Sequence, residues 1–435
     1  MAEVATLNPA VMQAVEQLGY RVTVGDVAAK AGLDLNTSQK GLLALASAVG
    51  GDLQVAESGD IAYVLPRDFR GILRSKYLRI QLQEAWAKVW AVLFYLIRMS
   101  FGIFLILSIV LIFVAIIVIV IAASSSRNDN NNRSGGFDFP RFIFFPDFWW
   151  FFGSDPYRPR RQSSRNQRQN PEEMNFLEGI YSFLFGDGNP NVNLESRRWQ
   201  EVGQQIINQK GAVVAEQIAP YLDIPPGPLP SGENFMIPVL SRFNGVPQVT
   251  EQGEIIYHFP DLQATAKQQR QKPVSPYLEE ITWKFTRASS GQVMLAIGLG
   301  CINLVGALVL WNLLGDGSVA TQLGGIVAFV QSIFWVLVAY GLGFLGIPLG
   351  RYYWILVMNG RIKARNQIRE NRAEILRTAA ATLKDKITAA QAYAAETLIT
   401  STNLAYTTEK DLITQEAEQT DKIDTEWQRL LEDRS

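Results

Sequence analysis

The residues best suited to chemistry are few. The 435 residues include one cysteine, Cys301, and one histidine, His258. A single thiol cannot form an internal disulfide or supply the thiolates of an iron–sulfur cluster within one chain. A single imidazole argues against a His-based metal site within the chain. Gly341-Leu342-Gly343-Phe344-Leu345-Gly346 matches the glycine pattern of a dinucleotide site. Such a site needs a strand before it, a helix start after it and an acid about 20 residues on. Here the pattern sits in an uncharged run that ends at Arg351. No nucleophile–base pair, carboxylate dyad or phosphate loop stands out. A non-enzymatic protein is expected, with no catalytic, cofactor-binding or metal-binding residue and no cofactor.

The elements that would position any site are clearer. Three uncharged runs, Met99–Ala123, Ala288–Gly315 and Gly317–Gly350, are long enough to cross a bilayer, which takes about 20 helical residues. The second and third form a helical hairpin around Asp316. Within them, Gly346 and Gly350 have the spacing that lets helices approach closely. Asn303 and Gln331 are the strongest polar groups and are expected to bond across the hairpin. The runs lack the charged residues of a transport path.

A sequence occurs twice. Residues 54–66 read QVAESGDIAYVLP and residues 248–260 read QVTEQGEIIYHFP; seven of the thirteen positions are identical. Each copy ends a pattern of helix, helix, helix and hairpin, the order of a winged helix. In the first copy the helices are expected near 9–18, 24–32 and 38–49, the last capped by Asn36 or Thr37. In the second they are expected at 195–209, 213–222 and 235–243. The domains then read as 1–66, winged-helix-like; 67–123, amphipathic helix and first membrane segment; 124–190, flexible linker with an aromatic interfacial segment at 137–152; 191–262, the second winged-helix-like domain; 263–287, amphipathic connector; 288–350, transmembrane hairpin; and 351–435, a long C-terminal helix.

Winged helices often bind DNA, but the charge opposes this. Residues 1–66 hold seven acids and three bases, and residues 191–262 hold eight and four, a net of −4 each. A DNA reader needs Lys and Arg at phosphates. The third helices offer only Lys40 and Arg242.

After Gly360 the chain has no Gly or Pro. Small and apolar residues recur there in steps of four and three, the pattern of a coiled-coil-like seam. Leu376, Leu383, Ile387 and Leu398 are its strongest positions, and a homo-oligomer is expected. Residues 361–386 carry eight bases and three acids, and are expected to lie along anionic lipid.

Basic residues flank all three runs, whereas their second turn carries only Asp316. The positive-inside rule puts the flanks on one face. A single crossing by the first run would separate the two copies. The expectation is therefore a hairpin bent near Ser100-Phe101-Gly102, or a return through the 137–152 segment.

Gly186-Asp187-Gly188-Asn189-Pro190 follows Ser182-Phe183-Leu184-Phe185 and precedes the Glu195-Ser196-Arg197-Arg198-Trp199 helix. In this the chain resembles an uncharacterised integral membrane protein family of cyanobacteria and chloroplasts, whose plant members often carry an iron–sulfur cluster biosynthesis label. The resemblance implies a thylakoid, plasma or envelope membrane of a photosynthetic cell.

The sequence reads as a mainly α membrane protein with α+β modules. It is expected to act as a scaffold or assembly factor on the cytoplasmic or stromal face. Membrane lipids and a protein are its expected partners; nucleic acid is not. The alternatives are a membrane-anchored regulator that contacts nucleic acid or a transcription complex, and, more weakly, a transporter or channel subunit.

Overall fold

A helical lobe comes first in the computed structural model, which describes residues 7–76, 78–125, 175–230, 232–267, 273–315, 317–400, 403–417 and 420. Asn8 caps α1 (Pro9–Leu18), and Gly19 ends it in the left-handed region at φ +94. β1 (Arg21–Thr23) runs into α2 (Val24–Ala31), which opens on a capping box between Thr23 and Asp26. α3 (Leu35–Val49) is capped by Asp34, not by Asn36 or Thr37; a charged acceptor suits the exposed N–H groups of a helix start. β2 (Asp52–Ala56) and β3 (Ile61–Val64) form the expected hairpin. α4 (Phe69–Lys76) adds Phe69 and Leu73 to a core of Val11, Val15, Val27, Leu42 and Leu45.

α5 (Leu78–Ser125) is a single unbroken helix, so the bend expected at Ser100-Phe101-Gly102 is absent. Ser100 Oγ donates to the Ile97 carbonyl within the helix. Gly102 serves packing instead: a Cβ there would come 2.5 Å from Leu177 of α6 (Phe176–Phe185). The 137–152 aromatic segment and most of the expected linker lie outside the described residues.

The second lobe repeats the order. α7 (Leu194–Asn208), β4 (Ala212–Val213) and α8 (Ala215–Ile218) are followed by α9 (Ile237–Phe243), β5 (Val246–Val249) and β6 (Ile255–His258). The helix expected over 213–222 begins instead as β4, and Ala219–Tyr221 tightens into a 3-10 turn. Pro220 sits in that turn and has no N–H to donate to a longer helix. The two hairpins share one register. Asp52 faces Val64, and Val246 faces His258; both members of the second pair lie 194 residues beyond the first (246 − 52 and 258 − 64). In each lobe the strand before the second helix pairs with the far strand of the hairpin, giving orders β1-β3-β2 and β4-β6-β5.

Beyond β7 (Ala264–Thr265), residues 273–289 contain no helix, in contrast to the amphipathic helix at the corresponding place after the first lobe. α10 (Ser290–Leu314) follows. The third run is not one helix: α11 (Ser318–Leu323), α12 (Gly325–Ser332) and α13 (Phe334–Arg377) break at Gly324-Gly325, both with positive φ, and at Ile333. Lys88–Ser124, Ser290–Leu314 and Phe334–Arg377 are long and apolar enough to cross a membrane.

The C-terminal region corrects the expectation of one long coiled-coil-like helix. α13 stops at Arg377, and α14 (Ala381–Gln391) is a separate helix. β8 (Thr397–Leu398) then runs parallel to β7, and β9 (Leu404–Thr407) runs antiparallel to β2. Freedom from Gly and Pro permits a helix but does not compel one. Thr397-Leu398-Ile399-Thr400 and Leu404-Ala405-Tyr406-Thr407-Thr408 are rich in β-branched and aromatic residues, which favour strands where an edge is on offer.

The chain divides into two units. One contains residues 1–91, 189–283 and 354–435: both lobes and the C-terminal region. The other contains residues 92–188 and 284–353. Leu105, Ile180, Phe183 and Phe344 form one of its cores; Ile112, Leu310, Val327 and Phe334 form another.

Candidate functional site

The two lobes meet through small residues. α2 packs on α7, where a Cβ on Gly203 would come within 2.8 Å of the Ala29 Cα. A Cβ on Gly25 would overlap the Asp261 carbonyl. Neither backbone can yield easily, so both glycines are needed for this approach.

A polar junction locks the same contact. Asp26 Oδ2 accepts from the Ala266 N–H at 3.1 Å and the Thr23 N–H at 3.2 Å, and Thr265 Oγ1 donates to it at 3.4 Å. Burial raises the Asp26 pKa; the hydrogen bonds from Ala266 and Thr23 offset only part of that rise. Arg21 donates to the carbonyls of Ala266 and Ile399 and to the Gln54 side chain. One guanidinium thus joins the first lobe, the segment after the second lobe and the C-terminal strands.

Beside this junction lies a polar cleft of about 400 Å³. α3 contributes Asn36 and Gln39, the first hairpin Asp60 and Ile61, and α9 Ser241 and Arg242; Asp34 and Asp261 also line it. Arg242 stacks on Trp199, 4.3 Å from the ring centre. Burial lowers its pKa, against the charges of Asp34 and Glu195. The cleft offers polar recognition but no nucleophile paired with a base.

The C-terminal region binds the second lobe and the segment after it side chain by side chain. Asn359 and Asn366 each bind both backbone groups of one residue, Trp283 and Glu280 respectively. Asn191 does the same for Ile281. Arg369 is buried and bridges Asp223 at 2.5 Å and Glu280 at 2.9 Å. Burial raises the Glu280 carboxyl, but Arg365 and Arg369 outweigh it and the pKa falls below its ordinary value. Arg372 donates to the carbonyls of Ile224 and Pro225. Arg365, Arg369 and Arg372 therefore bind the lobe and the segment after it, which corrects the expectation of lipid contact for these three residues of the 361–386 stretch. On α14, Lys386 is 3.0 Å from both Glu216 and Glu233.

The residues singled out in the sequence fall in several places. Leu383 and Ile387 of α14 pack within the chain against Val214 and Ile256. Leu376 lies on α13 and Leu398 in β8, so the four do not share one helix. Asn303 is buried and donates to Ser108 Oγ of α5 at 2.6 Å. Gln331 lies beside Gly317. Gly346 and Gly350 face open space, with nothing within 4 Å of a Cβ placed on either. The Gly186-Asp187-Gly188 motif has a local explanation. Arg351 crosses Gly186 and donates to the Ser182, Phe183 and Phe285 carbonyls, while Asp187 accepts from the Arg287 N–H and Ser182 Oγ. The junction residues Arg21, Asp26, Asn359, Asn366 and Lys386 were missed. Only the two-turn spacing of Asn359 and Asn366 on one helix was a signal in the sequence.

Iron–sulfur clusters are held mainly by Cys thiolates. Cys301 is exposed on α10, and His258 pairs with Gln263. Among the described residues no three His, Cys, Asp or Glu side chains form a metal-binding group. With one thiol in the whole sequence, these residues do not fit a cluster held by this chain alone.

The fold defines the class as a mainly helical protein with small sheets and three helices long and apolar enough to cross a membrane. The chain belongs to the family of "Uncharacterized protein At5g03900, chloroplastic" of Arabidopsis thaliana, with which it is 37% identical over 434 residues, covering 96% of this chain and 82% of that protein. No family model matches the chain, and no solved structure matches it.

Proposed function

We propose that the protein is a non-enzymatic membrane scaffold or assembly factor whose two winged-helix-like lobes dock a protein partner on the cytoplasmic or stromal face of a photosynthetic membrane. The observation that carries this reading is the chemistry of the surfaces a winged helix uses for recognition. On the third helices, Leu43 is 52% and Ile237 60% exposed; on the hairpins, Ile61, Val246 and Val249 are exposed. These are apolar groups on lobes with a net negative charge, suited to a protein surface rather than to phosphates. The chloroplastic relative and the membrane-length helices favour a plastid or cyanobacterial membrane. The basic residues Arg70, Arg74, Arg361 and Lys363 favour the cytoplasmic or stromal side.

Photo-crosslinking residues placed at Leu43 and at Ile237, in membranes of the native host, test this reading. It expects the same protein adduct from both positions, absent from a control at exposed Glu370 of α13. Nucleic-acid adducts would instead establish the regulator reading. The absence of any adduct at both positions would remove the docking reading.

A further inference from the structure

The duplication makes the two hairpins comparable edge for edge. In the first lobe the outer edge of β2 is filled by β9. Gln54 faces Thr407 and Val55 faces Tyr406. The Thr408 N–H donates to the Leu53 carbonyl at 3.0 Å, and the Glu57 N–H donates to the Asn403 carbonyl at 2.9 Å. In the second lobe the corresponding strand is β5, which ends its sheet; among the described residues no strand lies on its outer side.

The open edge presents the same backbone groups. Ala56 and Thr250 are equivalent, and each N–H turns inward to the hairpin partner, Asp60 and Glu254 respectively. Strand groups alternate in direction, so Pro247, Val249 and Glu251 turn outward as Leu53, Val55 and Glu57 do. The difference is Pro247, which has no N–H. Proline is a common guard on edge strands. In the first lobe, however, the Leu53 N–H bonds only the Thr408 side chain, at 2.9 Å. The backbone bond there runs to the Leu53 carbonyl, and a proline carbonyl can accept equally well. Pro247 therefore costs a docked strand one side-chain contact and limits how far pairing can extend. Around the edge, Val246 and Val249 are 44% and 66% exposed, and Glu251 and Glu254 flank them.

We propose that the outer edge of β5 is a strand-docking surface. Its occupant is an extended segment of a partner protein, paired antiparallel to residues 247–251 as β9 pairs with β2. The segment would set a β-branched or aromatic side chain against Val249, as Tyr406 lies against Val55, and carry a basic residue toward Glu251. This is β-strand addition, in which backbone bonds supply affinity and alternate side chains supply specificity. The inference rests on the protein-docking reading above and names its chemistry.

The test uses the full-length protein in detergent and a labelled peptide of residues 403–412, the strand that fills the equivalent edge. Saturable binding by fluorescence anisotropy is expected, weakened at least tenfold by Val249→Pro, which removes an outward N–H and none that pairs with β6. Hydrogen exchange on the wild type gives a second readout that needs no variant: the Val249 and Glu251 amides should exchange fast in the free protein and slow with peptide. No binding, or binding unchanged by Val249→Pro with no protection at 249 and 251, would overturn the proposal. Concentration-dependent dimerisation by light scattering, abolished by Val249→Pro, would assign the edge to a second copy and overturn the partner named here. These outcomes are separate from the crosslinking result, because the docking reading stands or falls on the third helices.

Discussion

Asn359 and Trp283 are joined by a reciprocal pair of hydrogen bonds: the Trp283 N–H donates to Asn359 Oδ1 at 2.8 Å, and Asn359 Nδ2 donates to the Trp283 carbonyl at 2.9 Å. Asn366, seven residues along α13, holds Glu280 in the same way, three residues back along the extended segment. Two helical turns rise about 10 Å, and three extended residues span about 10 Å. A helix can therefore read an extended strap at matched intervals, replacing a missing sheet partner with asparagine side chains. Each substitution Asn359→Leu and Asn366→Leu leaves a backbone N–H and C=O without partners. Each should destabilise the unit by about 1–3 kcal/mol, read as a lower unfolding midpoint in detergent. Asn→Ser at exposed Asn371 serves as the neutral control.

Lys386 holds α14 on the second lobe. Its side chain is 6% exposed between Glu216 and Glu233. Burial lowers its pKa, but the two glutamates outweigh that effect and the pKa rises. A raised lysine pKa gives stability that is complete below the unfolded value of about 10.5 and is lost as pH climbs through the higher folded value. The contact should therefore persist across neutral pH. Lys386→Met strands two carboxylates and should cost about 3–5 kcal/mol, the scale for breaking a buried pair. Limited proteolysis should then cut within 378–400 before it cuts the lobes.

Asp26 should give the opposite lesson about burial. Its folded pKa is raised above the ordinary aspartate value of 3.8, so the folded state holds the proton more tightly. The resulting stabilisation is complete below pH 3.8 and is lost as pH rises through the folded pKa. Asp26→Asn should therefore flatten the fall in stability across that window. Equal pH slopes for variant and wild type, from unfolding midpoints at several pH values, would show that the carboxyl does not titrate there.

Gly25→Ala should loosen the contact between the lobes. The added methyl meets the Asp261 carbonyl, a backbone atom that cannot rotate aside. A penalty of about 1–3 kcal/mol is expected for such overpacking. Hydrogen exchange should quicken at Thr265 and Ala266 while the Leu42 and Leu45 amides of α3 stay protected.

The hairpins were legible in the sequence because alternation, a Gly turn and a repeated string all act locally. The 52–64 and 246–258 registers follow from that string. The C-terminal region was not legible, because what decides between helix and strand there is the free edge of β2, more than 340 residues away in sequence. Leu383 and Ile387 did signal an apolar face, but periodicity cannot say whether that face meets another chain or Val214 and Ile256 of the same one. Asp26, Arg21 and Lys386 were silent because a charged residue that will be buried is indistinguishable in sequence from a solvated one. Gly102 was read as a bend for a related reason: its small size served the approach of Leu177, and only the fold shows that neighbour.

The proposed function places both lobes and the C-terminal strands on one membrane face. Single cysteines at Asp60 and Glu251, each in a Cys301→Ser background, test it most directly. A membrane-impermeant maleimide applied to sealed vesicles should label both from the same side, with a third cysteine at Asp316 labelled only from the other. Labelling of positions 60 and 251 from opposite sides would contradict the account.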